Sequence, residues 1–270
     1  MGSISKRRKR IKNKRSEEED RINSLPSSLI GHILSFLPIK DAVKTSVLST
    51  KWKYHWTSIT NFYFYYRTPF GMRRDNCDQS VKSFINFVYQ VLLQSVSDMH
   101  KFRLRCENKC DNSHLSQWIS IAILRHVREV DISLVNEHVM LPRELWNCNT
   151  LVVLKLDGVF ALNVPSMVCL PSLKILHLDK IKFSDDDSTE RLVSSCPVLE
   201  DLALINCFWK NINVLNISAL ALKSLTIDSD LYDYNTFNYM YKIVFNTPNL
   251  QYLKYFDHVV VEGYSMNNIY

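Results

Sequence analysis

Residues 196–207 read Cys196-Pro197-Val198-Leu199-Glu200-Asp201-Leu202-Ala203-Leu204-Ile205-Asn206-Cys207. Leu202 and Leu204 are two apart, the spacing that puts both side chains on one face of an extended strand. The same apolar frame recurs upstream at Val127, Val130 and Ile132, at Leu151, Leu154 and Leu156, and at Leu173, Leu176 and Leu178. Downstream it recurs at Leu222, Leu225 and Ile227, then at Leu250, Leu253 and Tyr255. Successive frames start 24, 22, 26, 23 and 28 residues apart.

One short strand with its return segment cannot bury its own apolar face, so neighbouring units must stack. The spacing brackets the leucine-rich repeat, whose period is roughly 20–29 residues. Only the frame from Leu199 to Cys207 carries the full signature with its terminal Cys. The return segments Thr189–Cys196 and Asn238–Phe245 read as short helices. The expected fold is α/β: a small three-helix module over 20–60, then a solenoid of parallel strands backed by helices and loops. Residues 61–126 form a connecting strand and helix segment that opens the solenoid, 127–257 hold the repeats, and 258–270 are a carboxy-terminal tail.

The connecting segment is itself patterned. Phe62–Phe70 is rich in aromatics and links the first module to the rest of the chain. Val81, Phe84, Ile85, Val88, Val91 and Leu92 trace one helical face, so 80–95 is an amphipathic helix. Lys101–Cys106 alternates as a strand, and Leu115, Trp118, Ile119, Ala122 and Ile123 mark another helix.

The first module is short and greasy. Leu25-Pro26 sets a proline at a helix start, and Leu29, Ile30, Ile33, Leu34 and Leu37 follow at helical spacing before Pro38 stops the helix. Asp41 lies in the first turn of a second helix with Ala42, Val43 and Val47, and Ser49 caps a third with Trp52 and Trp56. About forty residues cannot bury so many large side chains alone. Each buried Leu or Ile contributes roughly 1.5–3 kcal/mol, so a partner surface is expected.

These residues carry a resemblance. Asp20-Arg21-Ile22, Leu25-Pro26-Ser27-Ser28-Leu29-Ile30, Ile33-Leu34-Ser35-Phe36-Leu37-Pro38 and Val47–Trp56 resemble a plant F-box. Leu141-Pro142, Leu145–Cys148, Thr150–Leu156 and Cys196–Leu202 resemble the repeats of plant F-box/leucine-rich-repeat proteins. The likeness implies docking onto a Skp-type adaptor that bridges to cullin. Leu25 and Pro26 would seat in the adaptor. Ile30, Ile33, Leu34 and Leu37 would share the buried helical face of the adaptor-binding set, Pro38 would belong to that set at the helix end, and Val43, Leu48, Trp52 and Trp56 would close the small core or touch the adaptor. Such proteins often continue into a further domain called FBD, which this sequence does not reach. The resemblance therefore leaves two expectations: a substrate-recognition subunit of an SCF-type ubiquitin ligase, or an adaptor-binding scaffold without ligase turnover.

Within each repeat strand the residues between the leucines face away from the core. They form three rows. The first holds Glu129, Val153, Ile175, Asp201, Ser224 and Tyr252. The second holds Asp131, Lys155, His177, Ala203, Thr226 and Lys254, and the third Ser133, Asp157, Asp179, Ile205, Asp228 and Phe256. Asp131, Lys155, His177, Asp201, Thr226, Tyr252 and Lys254 are the candidate contacts for a protein substrate.

The remaining observations narrow the class. Net charge is +6, but eight of the 33 basic residues lie between Lys6 and Arg15, within a disordered tail over 1–19. Without them 25 basic residues face 27 acidic ones, so a broad cationic face for nucleic acid is not expected. The basic block reads as a nuclear-import signal or a solvated leader, which places the protein in the nucleus, the cytoplasm or both. No run of uncharged apolar residues is long enough for a membrane span, and no apolar signal-peptide core is present. Seven cysteines without such a signal read as reduced thiols. Cys106, Cys110 and His114 are evenly spaced, but no fourth ligand stands at a zinc-site spacing, so no metal or other cofactor is expected. There is no Gly-x-Ser-x-Gly, no His-Glu-x-x-His and no phosphate loop, and the histidines do not cluster with a nucleophile. The chain is therefore read as non-catalytic.

Overall fold

Alternation builds the main sheet. In strand after strand the frame residues are buried while their neighbours look outward: Leu154, Leu156, Leu176, Leu178, Leu202, Leu204, Leu225 and Ile227 all lie in the core. The computed structural model describes residues 24–68, 74–107, 112–135, 141–159, 161–183, 187–208, 214–229, 242–257 and 264–266. The basic block, Asp20–Ile22, Cys110 and residues 238–241 lie outside them.

The helices are α1 (Ser27–Ser35), α2 (Ile39–Lys44), α3 (Arg74–Gln94), α4 (Leu115–Leu124) and α5 (Asp187–Ser194). The strands are β1 (Asn61–Tyr66), β2 (Lys101–Cys106), β3 (Glu129–Leu134), β4 (Val153–Asp157), β5 (Ala161–Leu162), β6 (Ile175–Asp179) and β7 (Lys182–Phe183). They continue with β8 (Asp201–Ile205), β9 (Val214–Ser218), β10 (Ser224–Ser229), β11 (Lys242–Asn246), β12 (Tyr252–Asp257) and β13 (Tyr264–Met266). An eight-stranded sheet runs β1-β2-β3-β4-β6-β8-β10-β12. All its pairings are parallel. Behind it lie a second sheet, β13-β11-β9, and the pair β5-β7.

Two local devices repeat. At the amino edge of the later strands a tight turn leads into the frame. Leu173 N–H donates to Leu170 O (3.2 Å), Leu199 to Cys196 (3.1 Å) and Leu250 to Thr247 (3.1 Å). Pro171, Pro197 and Pro248 sit second in these turns, where proline's fixed φ suits the geometry. One carbonyl per repeat then accepts two N–H groups from the next. Lys174 and Ile175 donate to Val152 O (2.9 and 3.1 Å), Glu200 and Asp201 to Lys174 O (2.9 and 3.0 Å), and Lys223 and Ser224 to Glu200 O (2.8 and 3.0 Å). At the other edge Lys180 (φ 60°) and Asn206 (φ 49°) turn the chain out of β6 and β8 in left-handed backbone. Asn tolerates that region, whereas for Lys it costs about 1–2 kcal/mol. The Lys180 ammonium, placed 2.9 Å from Asp157 and 3.4 Å from Asp179, offsets part of this.

Several expectations change. Phe62–Tyr66 is not a connector but the first strand of the main sheet, with Phe62, Phe64 and Tyr66 buried. Phe64 packs on Phe102 (5.9 Å) and Tyr66 on Phe84 (4.9 Å), so an aromatic plug closes this end of the solenoid. The helix expected over 80–95 begins earlier, at Arg74. Of the helix expected over 238–245, the described part belongs to strand β11, because Ile243 and Phe245 alternate into the core against β9. The third helix of the first module is 3₁₀, over Trp52–Ser58, and no side chain caps it. Val47 lies past α2 in a separate 3₁₀ turn, Thr45–Val47. The short helix expected over 189–196 is present but begins and ends two residues earlier, at Asp187–Ser194, with Leu192 and Val193 buried.

The first module is welded to the solenoid. Val96 N–H and Ser95 Oγ both donate to Thr57 O (3.2 Å each), and Ser97 Oγ donates to Ile59 O (2.8 Å). His100 and Lys101 N–H donate to Thr60 O (2.8 and 3.1 Å). Arg125 closes the end of α3 through the carbonyls of Leu92 (2.6 Å) and Ser95. Ile39 and Ile59 share one continuous core with Phe62 and Met99.

Candidate functional site

Two surfaces stand out, one on each part of the chain. In the first, Pro26 precedes α1 and its carbonyl accepts Leu29 N–H (3.0 Å) and Ile30 N–H (3.1 Å). Pro38 does the same for α2 through Asp41 (2.9 Å) and Ala42 (3.0 Å). Lys51 Nζ donates to Leu25 O (2.7 Å) and ties the module's two ends together. Helix α1 is apolar on two sides. Ile30 and Leu34 point inward and are fully buried, as are Ile39 and Ala42 of α2. Leu29, Ile33 and Phe36 point outward with 48%, 44% and 74% of their surface exposed, and Val47 and Leu48 add 86% and 62%. A run of large apolar side chains left in water marks an interaction surface.

The second surface is the outward side of the main sheet. The pairing puts Asp131, Lys155, His177, Ala203, Thr226 and Lys254 in one register row, and Tyr63 and Arg103 extend it to β1 and β2. Ion pairs link neighbouring strands at Lys101–Glu129 (2.6 Å), Arg103–Asp131 (2.6 Å from Nε) and Lys254–Asp228 (2.5 Å), and His177 Nε2 hydrogen-bonds Asp201 (2.9 Å). The Asp228 hydrogen bond holds the Lys254 ammonium above its ordinary pKa. At the amino edge of β4 to β12 runs a groove of about 710 Å³ whose floor includes Val152, Lys174, Glu200, Lys223 and Gln251. Lys174 and Lys223 grip the two oxygens of Glu200 (2.9 and 2.7 Å). Their hydrogen bonds, Lys223's first, hold its carboxyl down to about 2.

A profile for the F-box domain matches residues 22–63, and the profile described as "FBD-associated F-box protein At5g56370, LRR repeats" matches residues 115–268. The chain belongs to the F-box/leucine-rich-repeat family. It is similar to the Arabidopsis thaliana F-box/LRR-repeat protein At3g59200, 38% identical over 247 residues, which cover 88% of this chain and 46% of that protein. It is likewise similar to F-box/LRR-repeat protein At3g26922 of the same plant, 34% identical over 251 residues covering 90% of this chain and 77% of that one. F-box/FBD/LRR-repeat protein At1g78750, also from Arabidopsis, is 34% identical over 262 residues, 93% of this chain and 55% of that protein. The chain thus spans about half to three quarters of the length of these relatives.

In the F-box the residues read from sequence divide in three. Pro26, Ile33, Pro38 and Leu48 are exposed. Leu25, Leu37 and Val43 are partly buried against the core. Ile30, Leu34, Trp52 and Trp56 are core: Ile30 and Leu34 lie on a buried helical face, Trp52 and Trp56 close the small core, and none of the four offers exposed surface to an adaptor. The physical reason is the i, i+4 geometry, which carries Ile30 and Leu34 to the inner side of α1. Leu29, Phe36 and Val47 are the outward residues missing from the expected set. Leu29 and Phe36 extend the exposed helical stripe through Ile33, but helical spacing alone cannot say which side of α1 faces water.

In the repeats Asp131 is 9% exposed and bound to Arg103, which shields it from a partner. His177 and Asp201 hold each other, and Thr226 is half-buried. Tyr252 and Lys254 are exposed on the last strand of the sheet. Arg103 was hidden because its strand lies outside the leucine frames.

Burial pushes the Cys196 and Cys207 thiols up to about 12, so neither is a ready nucleophile. Cys106 is buried, and His114 Nδ1 lies 2.9 Å from the Tyr89 hydroxyl. Among the described residues no group of three His, Cys, Asp or Glu side chains is placed to hold a metal. None of the described helices is long and apolar enough to cross a membrane.

Proposed function

We propose that this F-box/LRR protein is the substrate-recognition subunit of an SCF-type ubiquitin ligase. The F-box docks a Skp-type adaptor, and through it cullin, while the repeats hold a target protein. The observation that carries the reading is the exposed apolar run of Leu29, Ile33, Phe36, Val47 and Leu48 beside a fully formed core. Water disfavours that surface by roughly 25 cal/mol per Å², and a partner that covers it recovers the difference. The welded junction suits the task, because a target held at a fixed place raises its effective concentration near the loaded ubiquitin carrier. On this reading the chain does no bond chemistry of its own, and the block Lys6–Arg15 directs the protein to the nucleus.

The test is reconstitution. The full chain is combined with a Skp-type adaptor, cullin, the RING subunit and a target captured from cell extract, and ubiquitylation is scored. Stable adaptor binding with target-dependent chain formation is expected. Adaptor binding without ubiquitin transfer to any captured protein would favour the scaffold role instead, and no adaptor binding would end both.

A further inference from the structure

The charges on the repeat side are unevenly matched. Every carboxylate in the three outward rows from β3 to β10 has a partner: Glu129 has Lys101, Asp131 has Arg103, and Asp157 and Asp179 share Lys180. Asp201 has His177 and Asp228 has Lys254. Lys155, in the second row, and Arg105, which pairs in register with Ser133 of the third, make no ion pair among the described residues. In the groove at the amino edge the balance differs, with two lysines on the carboxylate of Glu200. The groove therefore carries two cations on one carboxylate, a net positive charge, although the chain outside the basic block is slightly acidic.

The groove has room and apolar walls. Five strands spaced about 4.8 Å apart give a floor of about 19 Å, the reach of about six extended residues. Val152, Val198 and Pro171 line it together with Lys174 and Lys223. Val198 is partly exposed on its turn, open to a side chain laid beside it.

Resting on target recruitment through the repeats, we infer that this groove takes an extended segment of the target in which acidic and aliphatic side chains alternate. Carboxylates reach the spare charge of Lys174 and Lys223, and aliphatic side chains cover Val152 and Val198. A carboxylate is the group that completes such a site, since a cationic segment would meet two lysines and a neutral one would leave the spare charge unanswered.

The experiment uses the full chain bound to its Skp-type adaptor and three fluorescein-labelled peptides, Glu-Val-Glu-Val-Glu-Val and its Gln and Lys counterparts. The Glu peptide is expected to bind at least about tenfold more tightly than the Gln peptide, with the preference shrinking as salt rises. The double variant Lys174→Gln/Lys223→Gln reverses the groove's net charge and is expected to abolish that preference, with its melting temperature checked against the parent. Equal binding of the Glu and Gln peptides, tighter binding of the Lys peptide, or no binding of any peptide overturns the inference. Displacement of the Glu peptide by oligo-dT overturns it too, in favour of a polyanion site. Adaptor retention, read in the same samples, shows separately whether the ligase reading stands.

Discussion

The two sides of α1 make opposite predictions. Phe36 leaves 74% of its surface in water, Leu29 48% and Ile33 44%. Burying a side chain of this size in full contributes roughly 1.5–3 kcal/mol, so covering the exposed share of Phe36 is worth about 1–2 kcal/mol and that of Leu29 or Ile33 about 1 kcal/mol. The triple variant Leu29→Ala/Ile33→Ala/Phe36→Ala should therefore weaken adaptor binding by about 3 kcal/mol, on the order of a hundredfold in Kd. The chain's own stability should barely move, within about 0.5 kcal/mol per site, because these atoms are already solvated. Ile30→Ala or Leu34→Ala should do the reverse. Each empties a fully buried position and should lower unfolding free energy by about 2–5 kcal/mol. Titration calorimetry with the adaptor and urea denaturation of the free chain separate the two effects. A triple variant that melts as badly as Ile30→Ala, or that keeps its affinity within about threefold, would refute the assignment of the outer side to docking.

Leu202→Ala, at a fully buried frame position, should cost about 2–5 kcal/mol in urea denaturation, and the loss should spread to neighbouring repeats because they share one core. Glu200 gives a pH signature. Its carboxyl is depressed from 4.5 to about 2, so its contribution is fully present above pH 4.5 and is lost as pH falls through about 2. Over that window the parent should lose more melting temperature than Glu200→Gln, and parallel melting curves would contradict this. A fluorescent fusion in plant cells should accumulate in the nucleus, and replacing Lys6–Arg10 with alanine should leave it evenly spread.

The leucine frames were legible because a period-two pair after a fixed interval has one physical meaning, a strand facing a shared core. The row Asp131–Lys254 followed from the same arithmetic, and the pairing register places those residues side by side. Strand β1 was hidden because Phe62-Tyr63-Phe64-Tyr65-Tyr66 alternates between aromatics on both faces, which masks the in–out pattern. Strand β11 was misread because Ile243-Val244-Phe245 is a short apolar run, and such runs fit helix or strand alike until a neighbour such as β9 pairs with them. The salt links at Arg103–Asp131 and Lys174–Glu200–Lys223 join residues more than twenty positions apart and depend on strand order, which no local pattern reports.

The doubled carbonyl bonds at the amino edge limit how the chain can vary. Adding or deleting one residue between a tight turn and the strand after it would strand two N–H donors at once, in that repeat and against the next. The intervals of 22 to 28 residues between frames must therefore be absorbed elsewhere, in the segments that leave each strand. One rim of the solenoid is length-locked while the opposite rim is free to lengthen, so sequence drift can remodel one border of this protein without disturbing the other.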